Sequence, residues 1–432
     1  MSTKTLLVAL SLTAAIVAKA QTAREDLERD IHLSASNYLA YPGPRHKLTP
    51  PPKGMKPFYI SHYGRHGSRF LSNQREYDYP YLALQRADSL NKLTALGREV
   101  YQRVAKLRSE AEGRLGELTP LGVQQHRQIA RRMYERFPEV FAGDANIDAR
   151  STTVIRCVLS MESALQQFAA LNPKLHITHD ASRRDMYYMN QNDPTLRNRK
   201  MPTKVQQIFN DFCDIKEKPE RLMKALFNDT AYVSHHVNAR RLNYQLFKLA
   251  SNVQSTEMRR QLSLYDIFTD EEVFNNWEKE NAWWYINYGP SPLNGGTQPY
   301  SQRNLLRTII AQADSCIKLP KPGATLRYGH DTMVMPLCCL LDLNGYGQQV
   351  TELEDIVRIG WYNYRIFPMA CNIQFVFYRK QYGDKDILFK VLLNEDEATL
   401  PLKSSHEPYY LWEDFRDYYL SKLNDYDAPI KP

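Results

Sequence analysis

The chain has 432 residues, 43% of them hydrophobic and 24% charged, enough apolar material for one large core or two, which excludes a disordered or fibrous protein. Lys and Arg number 56 against 48 Asp and Glu, a formal charge of +8, well short of the clustered positive field of a dedicated nucleic-acid binder. The excess suits an anionic small ligand, and 28 Tyr with 5 Trp supply amphipathic contact area.

Lys4 and Thr5 precede an apolar run from Leu6 to Val17, and Ala18-Lys19-Ala20 follows before Gln21. This is the order of a secretory signal, so residues 1–20 are expected to be cleaved and the protein to be secreted or periplasmic. Lys4 and Lys19 leave with the leader, lowering the charge from +8 to +6. The apolar run is about a dozen residues, too short for a bilayer span of roughly 20. No later segment reaches that length uncharged, so no membrane span is expected. Residues 21–57 read as an N-terminal arm: a polar, partly helical lead to Ala40, then Tyr41-Pro42-Gly43-Pro44 and Thr49-Pro50-Pro51-Pro52, which suit neither helix nor central strand.

The first strand is predicted over Phe58 to Tyr63, ending at Gly64 and followed by Arg65-His66-Gly67-Ser68-Arg69. Leu96, Val100, Val104 and Leu107 recur with helical spacing. Thr119 then offers an N-cap before Pro120, and Val123, Ala130, Met133 and Phe137 mark one helix face up to Pro138. A short strand is predicted at Asn146 to Ala149, then Arg150-Ser151-Thr152 and a helix from near Thr153 carrying Ile155, Leu159 and Phe168. Such alternation is that of an α/β domain.

From Thr178 to Leu319 the segments are charged, aromatic-rich and helix-forming, with no convincing strand. Residues 178–319 are therefore expected to form a mostly α-helical cap inserted into an α/β domain made of 58–177 and 320–432. Strand character returns at Ala324 to Tyr328, followed by Gly329-His330-Asp331 and an apolar run from Met333 to Leu341. Ile373, Phe375 and Phe377 alternate with Asn372, Gln374 and Val376, and Gly383-Asp384 separates them from Ile387 to Leu393. That pattern predicts a hairpin at an edge of the sheet.

Six cysteines, at 157, 213, 316, 338, 339 and 371, match no zinc spacing. Their spacing fixes no disulfide pairing, although adjacent Cys338 and Cys339 in an apolar run favour at least one buried free thiol. His235-His236 and the His176, His179 pair have no third ligand at a matching spacing, so no metal is expected. Trp277, Trp283, Trp284, Tyr285 and Tyr288 could stack on sugar rings, but their helical spacing favours a place in the core of the cap.

Three loops carry the chemistry. The first holds Arg65, His66 and Arg69, the second sets Arg150 and Arg156 at the start of a helix, and the third pairs His330 with Asp331. Each follows a predicted strand, and a parallel sheet brings such loops to one edge. Arginine is the always-charged planar donor that suits phosphate oxygens. Several Arg around one His repel one another unless an anion or carboxylates sit between them. The same charges hold the imidazole neutral, the form that attacks phosphorus. Asp331 could protonate a leaving oxygen, a role worth roughly 10²- to 10⁴-fold in rate.

Arg65-His66-Gly67-Ser68-Arg69 resembles the signature of the histidine acid phosphatases, the second branch of the histidine phosphatase superfamily. Leu118-Thr119-Pro120-Leu121-Gly122, Arg150-Ser151-Thr152 with Arg156, and His330-Asp331 follow in the family's order. The resemblance runs from about residue 58 to 341. It implies a phosphoglycerate mutase-like central sheet flanked by helices, a helical cap, a phosphohistidine intermediate and no metal or other cofactor. Carried over by position, His66 is the nucleophile and Asp331 the proton donor, while Arg65, Arg69, Arg156 and His330 bind the phosphoryl group. Arg150, the opening Arg of its motif, is not placed on the phosphate. Two departures stand out. Phe70-Leu71 follows Arg69 where the family has a Pro two residues on, and the donor motif is His-Asp rather than the His-Ala-Glu of typical multiple inositol polyphosphate phosphatases.

The reading is an exported phosphomonoesterase with an acidic optimum acting on a small-molecule phosphate ester, with phytate or another inositol polyphosphate ranked first and sugar phosphates next. A non-catalytic binder of polyanions or glycans is the alternative. It is disfavoured because binding needs neither His66 nor Asp331. A mutase or transferase of the superfamily's first branch is disfavoured by the leader and the His-Asp pair.

Overall fold

The computed structural model describes residues 23–190, 193–197 and 201–428; the expected leader lies outside them. Among the described residues the strands are β1 (Lys56–Arg65), β2 (Asn146–Ser151), β3 (His176–Asp180), β4 (Gly323–Gly329), β5 (Asn372–Arg379), β6 (Leu388–Leu393), β7 (Asp396–Ala398) and β8 (Tyr410–Leu411). They form one mixed sheet in the order β3-β2-β4-β1-β5-β6-β7, with β8 on β6. β4 runs parallel to both β1 and β2, and Arg65 pairs with Gly329 while Ser151 pairs with Tyr328. The three strands that precede the basic loops therefore end at one level.

Both faces of this sheet are covered. Ile60, Ile147, Leu326 and Val376 pack on one side with residues of α1 (Pro120–Arg136) and α2 (Ile155–Leu171), such as Met133 and Phe168. Tyr59, Phe375 and Phe377 pack on the other side against Ile309, Leu337 and Phe415. A third core unites the arm (Ala23, Leu27, Ala35, Leu39) with Val100, Val104 and Leu107 and with cap residues of α3 (Ala239–Val253) and α4 (Asp270–Tyr288), including Leu246 and Trp277. The described residues from Ala181 to Cys316 contain helices and 3₁₀ turns but no strand. The opening of α1 is the one expected, with Thr119 Oγ1 accepting from Gly122 N and Pro120 in the first turn.

Four sequence expectations change. β5 is not at an edge: it lies between β1 and β6, because Ile373, Phe375 and Phe377 fill one core and Val376 and Tyr378 the other. β3 extends the sheet to Asp180, past the expected start of the cap, and its largely exposed His-Ile-Thr-His-Asp offers no apolar signal. In α2 the apolar face is Cys157, Met161, Ala164, Leu165 and Phe168, whereas Ile155 and Leu159 are 74% and 47% exposed. Finally, the arm does more than lead into the domain, since its residues are built into the third core. All six cysteines are free, and Cys338 and Cys339 are both buried.

Candidate active site

The loop after β1 is pinned from several sides. His66 N donates to Gly329 O at 2.9 Å and Arg65 N to Cys371 O at 2.8 Å, while Ala370 N donates back to His66 O. Gly67 N donates to Ser160 Oγ at 3.1 Å, and Ser68 N to Gln125 Oε1 at 2.8 Å. Close packing explains the glycines of the two motifs. A Cβ on Gly67 would lie 2.5 Å from Gly122 O, and one on Gly122 would lie 2.4 Å from Ser68 O. Any side chain at either position would push the loop off the start of α1.

This anchoring presents His66 in a defined state. Its Nδ1 lies 2.9 Å from Gly67 O. A carbonyl only accepts, so Nδ1 carries the proton and Nε2 keeps its lone pair. The ring is buried, and burial, followed by the charges of Arg65, Arg156 and Arg69 and by His330, holds its pKa well below the usual value. The neutral nucleophile expected from the sequence is thus what the surroundings favour.

Three guanidinium groups surround that ring. Arg65 is fully buried, donating from Nη1 to Asn37 O and Phe367 O at 2.5 and 3.1 Å, with Nη2 2.7 Å from Asp331 Oδ2. Arg69 donates from Nη1 to Phe70 O and lies over the Tyr38 ring, 5.5 Å from its centroid. Arg156 stands in the first turn of α2, and burial, with repulsion from Arg69, pushes its pKa down. Among the described residues the Nε atoms of Arg65, Arg69 and Arg156 are buried without a hydrogen-bond acceptor. Three repelling cations with spare buried donors, all acting on one neutral imidazole, suit a multivalent oxyanion.

His330 caps α5 (Asp331–Leu340), and its ring meets His66 edge to face with centroids 5.8 Å apart. Thr152 Oγ1 lies 3.4 Å from its Nε2, and Cys157 Sγ lies 3.8 and 3.9 Å from its ring nitrogens. Burial first, then Arg156, lowers its pKa to about 4, so it can donate to an oxyanion only as a neutral N–H. Asp331 Oδ1 accepts from Thr332 N at 2.9 Å, and Oδ2 accepts from Asn37 Nδ2 at 3.1 Å beside Arg65. Burial acts to raise the Asp331 pKa, but Arg65, the Asn37 hydrogen bond and Arg69 outweigh it, and the carboxyl sits below its ordinary value.

The six residues singled out in the sequence, Arg65, His66, Arg69, Arg156, His330 and Asp331, thus converge. Arg150 does not: it belongs to β2 rather than to a helix start, and pairs with Asp148 at 2.7 Å. Sequence reasoning gave no role to Thr152, though it lies in a quoted motif, nor to Cys157 beside Arg156, and it missed Asn37 and Tyr38, which carry no motif and reach the site only through tertiary packing. Among the described residues no group of three or more His, Cys, Asp or Glu side chains could hold a metal ion, and no helix is long and apolar enough to cross a membrane.

The family model of the histidine phosphatase superfamily (branch 2) matches residues 64–394. No curated protein matches the chain. Among solved structures it is similar to the Bifidobacterium longum multiple inositol polyphosphate phosphatase in complex with inositol hexasulfate, with a TM-score of 0.75 and 17% identity over 92% of this chain and 100% of that one. It is also similar to the phytase of D. castellii, with a TM-score of 0.63 and 15% identity over 91% and 85% of the two chains. Hafnia alvei phytase in complex with myo-inositol hexakis sulphate gives a TM-score of 0.51 and 13% identity over 86% and 98%. At these identities the likeness is one of fold.

Proposed function

The chain belongs to the histidine phosphatase superfamily, branch 2, and on the premise that it is a phosphomonoester hydrolase we propose that it works through a phosphohistidine at His66. The observation that carries this reading is the His66 ring itself: Nδ1 is held by Gly67 O, which leaves Nε2 free among Arg65, Arg69 and Arg156. Nε2 attacks phosphorus as the ester P–O bond breaks, and Asp331 gives its proton to the departing alkoxide. The Asp331 carboxylate then takes a proton from water as that water attacks the phosphohistidine, releasing phosphate and restoring His66. The arginines and the His330 N–H stabilise charge on the transferring oxygens.

The Arg65–Asp331 ion pair sets the pH dependence. Without substrate this carboxyl is held ionised below its ordinary range, so the free enzyme carries no proton there near neutrality. The proton arrives with the ester: a monoanion brings one, and its negative charge among the arginines raises the proton affinity of Asp331. The second ionisation of a phosphate monoester falls near a pKa of about 6. We expect kcat/KM to fall as pH rises through about 6, and turnover to survive EDTA, because the cationic side chains supply the charge.

Inositol polyphosphates rank first as substrates, supported by the B. longum enzyme's complex with inositol hexasulfate, and sugar phosphates follow. Phosphate release from phytate, sugar phosphates and p-nitrophenyl phosphate across pH, with and without EDTA, tests the reading. Inactivity on the whole panel, or loss on chelation, would sink it. Export is part of the proposal, resting on the leader pattern in residues 1–20. N-terminal sequencing of protein recovered outside the cytoplasm should begin at Gln21, and an intact Met1 on that protein would refute cleavage.

A further inference from the structure

Residues 31–38 precede the stretch matched by the family model, 64–394, yet they reach the catalytic centre. Asn37 is buried; its Nδ2 donates to Asp331 Oδ2 at 3.1 Å and its backbone O accepts from Arg65 Nη1 at 2.5 Å. One residue therefore holds both members of the Arg65–Asp331 pair. We propose that the N-terminal arm supplies a working part of the active site, with Asn37 as the positioning residue that orients the Asp331 carboxyl toward the leaving group. This rests on the phosphatase reading above.

Three features carry the assignment. The first is the division of labour between the two carboxyl oxygens. Oδ2 is engaged by Asn37 and Arg65, whereas among the described residues Oδ1 accepts only Thr332 N, so Asn37 selects Oδ1 as the oxygen with room for the transferable proton. The second is how rigidly Asn37 is held. Ser36 has φ 58° and ψ −126°, a conformation that a non-glycine residue keeps only when its surroundings enforce it. They do so here: Asn363 Nδ2 donates to Ser36 Oγ at 2.7 Å, Asn363 N donates to Asn281 Oδ1, and Trp277 Nε1 donates to Asn363 Oδ1, each at 2.9 Å. The clamp joins the arm to α4.

The third feature is location. Asn37 and Tyr38 wall a cavity of about 260 Å³ whose other sides include Tyr244, Lys248, Trp283 and Trp284. That cavity meets the phosphate receptor at Asp331 through Asn37 and at Arg69 through the Tyr38 ring. Its walls carry Lys248 and Glu280 beside the aromatic rings.

The test is a leaving-group comparison. p-Nitrophenolate departs without needing a proton, whereas the alkoxide of glycerol 2-phosphate does not. Asn37→Ala should lose at least tenfold more kcat on glycerol 2-phosphate than on p-nitrophenyl phosphate, the pattern that Asp331→Asn sets as reference. Equal losses on both esters would overturn the proposal. Should the alanine variant fail to fold, Asn37→Asp supplies the second reading. It places two carboxyl groups where they must share a proton, amid Arg65, Arg69, Arg156, His66 and His330 and the thiols of Cys157 and Cys371. The upper pH limb of kcat on glycerol 2-phosphate should then move to higher pH, and an unmoved limb would refute the role. Wild type inactive on both esters would instead remove the phosphatase reading itself.

Discussion

His66→Ala should abolish turnover of every phosphate ester, by at least about 10⁴-fold in kcat, while the protein stays folded and still binds inorganic phosphate. The expectation separates binding from chemistry because the two lie on different residues. Arg65, Arg69 and Arg156 keep their buried, acceptor-free Nε donors whether or not the imidazole is present. Removing a neutral ring also takes no charge from the receptor, so phosphate inhibition should persist. What disappears is the Nε2 lone pair that the Gly67 carbonyl secures by holding the proton on Nδ1. Wild type quenched during turnover of a ³²P-labelled ester should carry label that survives alkali and is lost in acid, as a phosphoramidate is, and His66→Ala should carry none. Retention of more than about a thousandth of wild-type kcat by the variant, or label on the variant, would show that His66 is not the nucleophile.

The six converging residues were legible because each sits in or beside a short motif that follows a strand, and the register Arg65 to Gly329 and Ser151 to Tyr328 brings three separate motifs into one site. Gly67 and Gly122 each lie inside a quoted motif, but that their backbones touch is visible only in the fold. Asn37 was not. It precedes Arg65 by 28 positions, follows no periodicity, and acquires its role from a clamp whose partners lie beyond residue 270.

The misreadings have local causes. Asn372 and Gln374 suggested a solvated face on β5, yet both are buried, with Gln374 Nε2 donating to Asn372 Oδ1 at 2.8 Å and Asn372 Nδ2 to Ala370 O at 3.2 Å. Paired amides satisfy each other and pass for surface in a one-dimensional pattern. In α2, the turn that aims Arg156 at the phosphate receptor and Ser160 at Gly67 N rotates Ile155 and Leu159 into solvent. The apolar face of the helix is the one through Cys157, Met161, Ala164, Leu165 and Phe168, a helical repeat offset from the one that Ile155 and Leu159 suggested.

The protein should lose stability steeply as pH falls from about 6.5 toward 4. His62, His66 and His126 are each 2% exposed. Burial, assisted by His126 and Arg327, lowers His62 to about 3, and burial lowers His126 to about 3 against a hydrogen bond to the Arg65 backbone. His66 lies well below its usual value for the reasons already given. A base whose folded pKa is depressed binds fewer protons folded than unfolded. Its contribution is therefore complete above the unfolded value of about 6.5 and drains away as pH drops toward the folded value. Each such imidazole costs up to about 1.4 kcal/mol per pH unit, so His62 and His126 together cost roughly 3, and His66 acts in the same direction. Against a total of about 5 to 15 kcal/mol for a typical fold, this is a large share of the margin. Urea midpoints measured from pH 7 to pH 5 should fall, and His126→Gln should flatten that slope by about one proton's worth. A midpoint constant over this range would refute the linkage. The consequence reaches function, because His62 and His126 flank Tyr328 at 5.3 and 5.5 Å between ring centroids, directly beneath the loop that carries His66. On the proposed mechanism, activity should be limited from above, near pH 6, by proton supply through Asp331, and from below by the protonation of these buried imidazoles, which releases the strand ends that hold the site together.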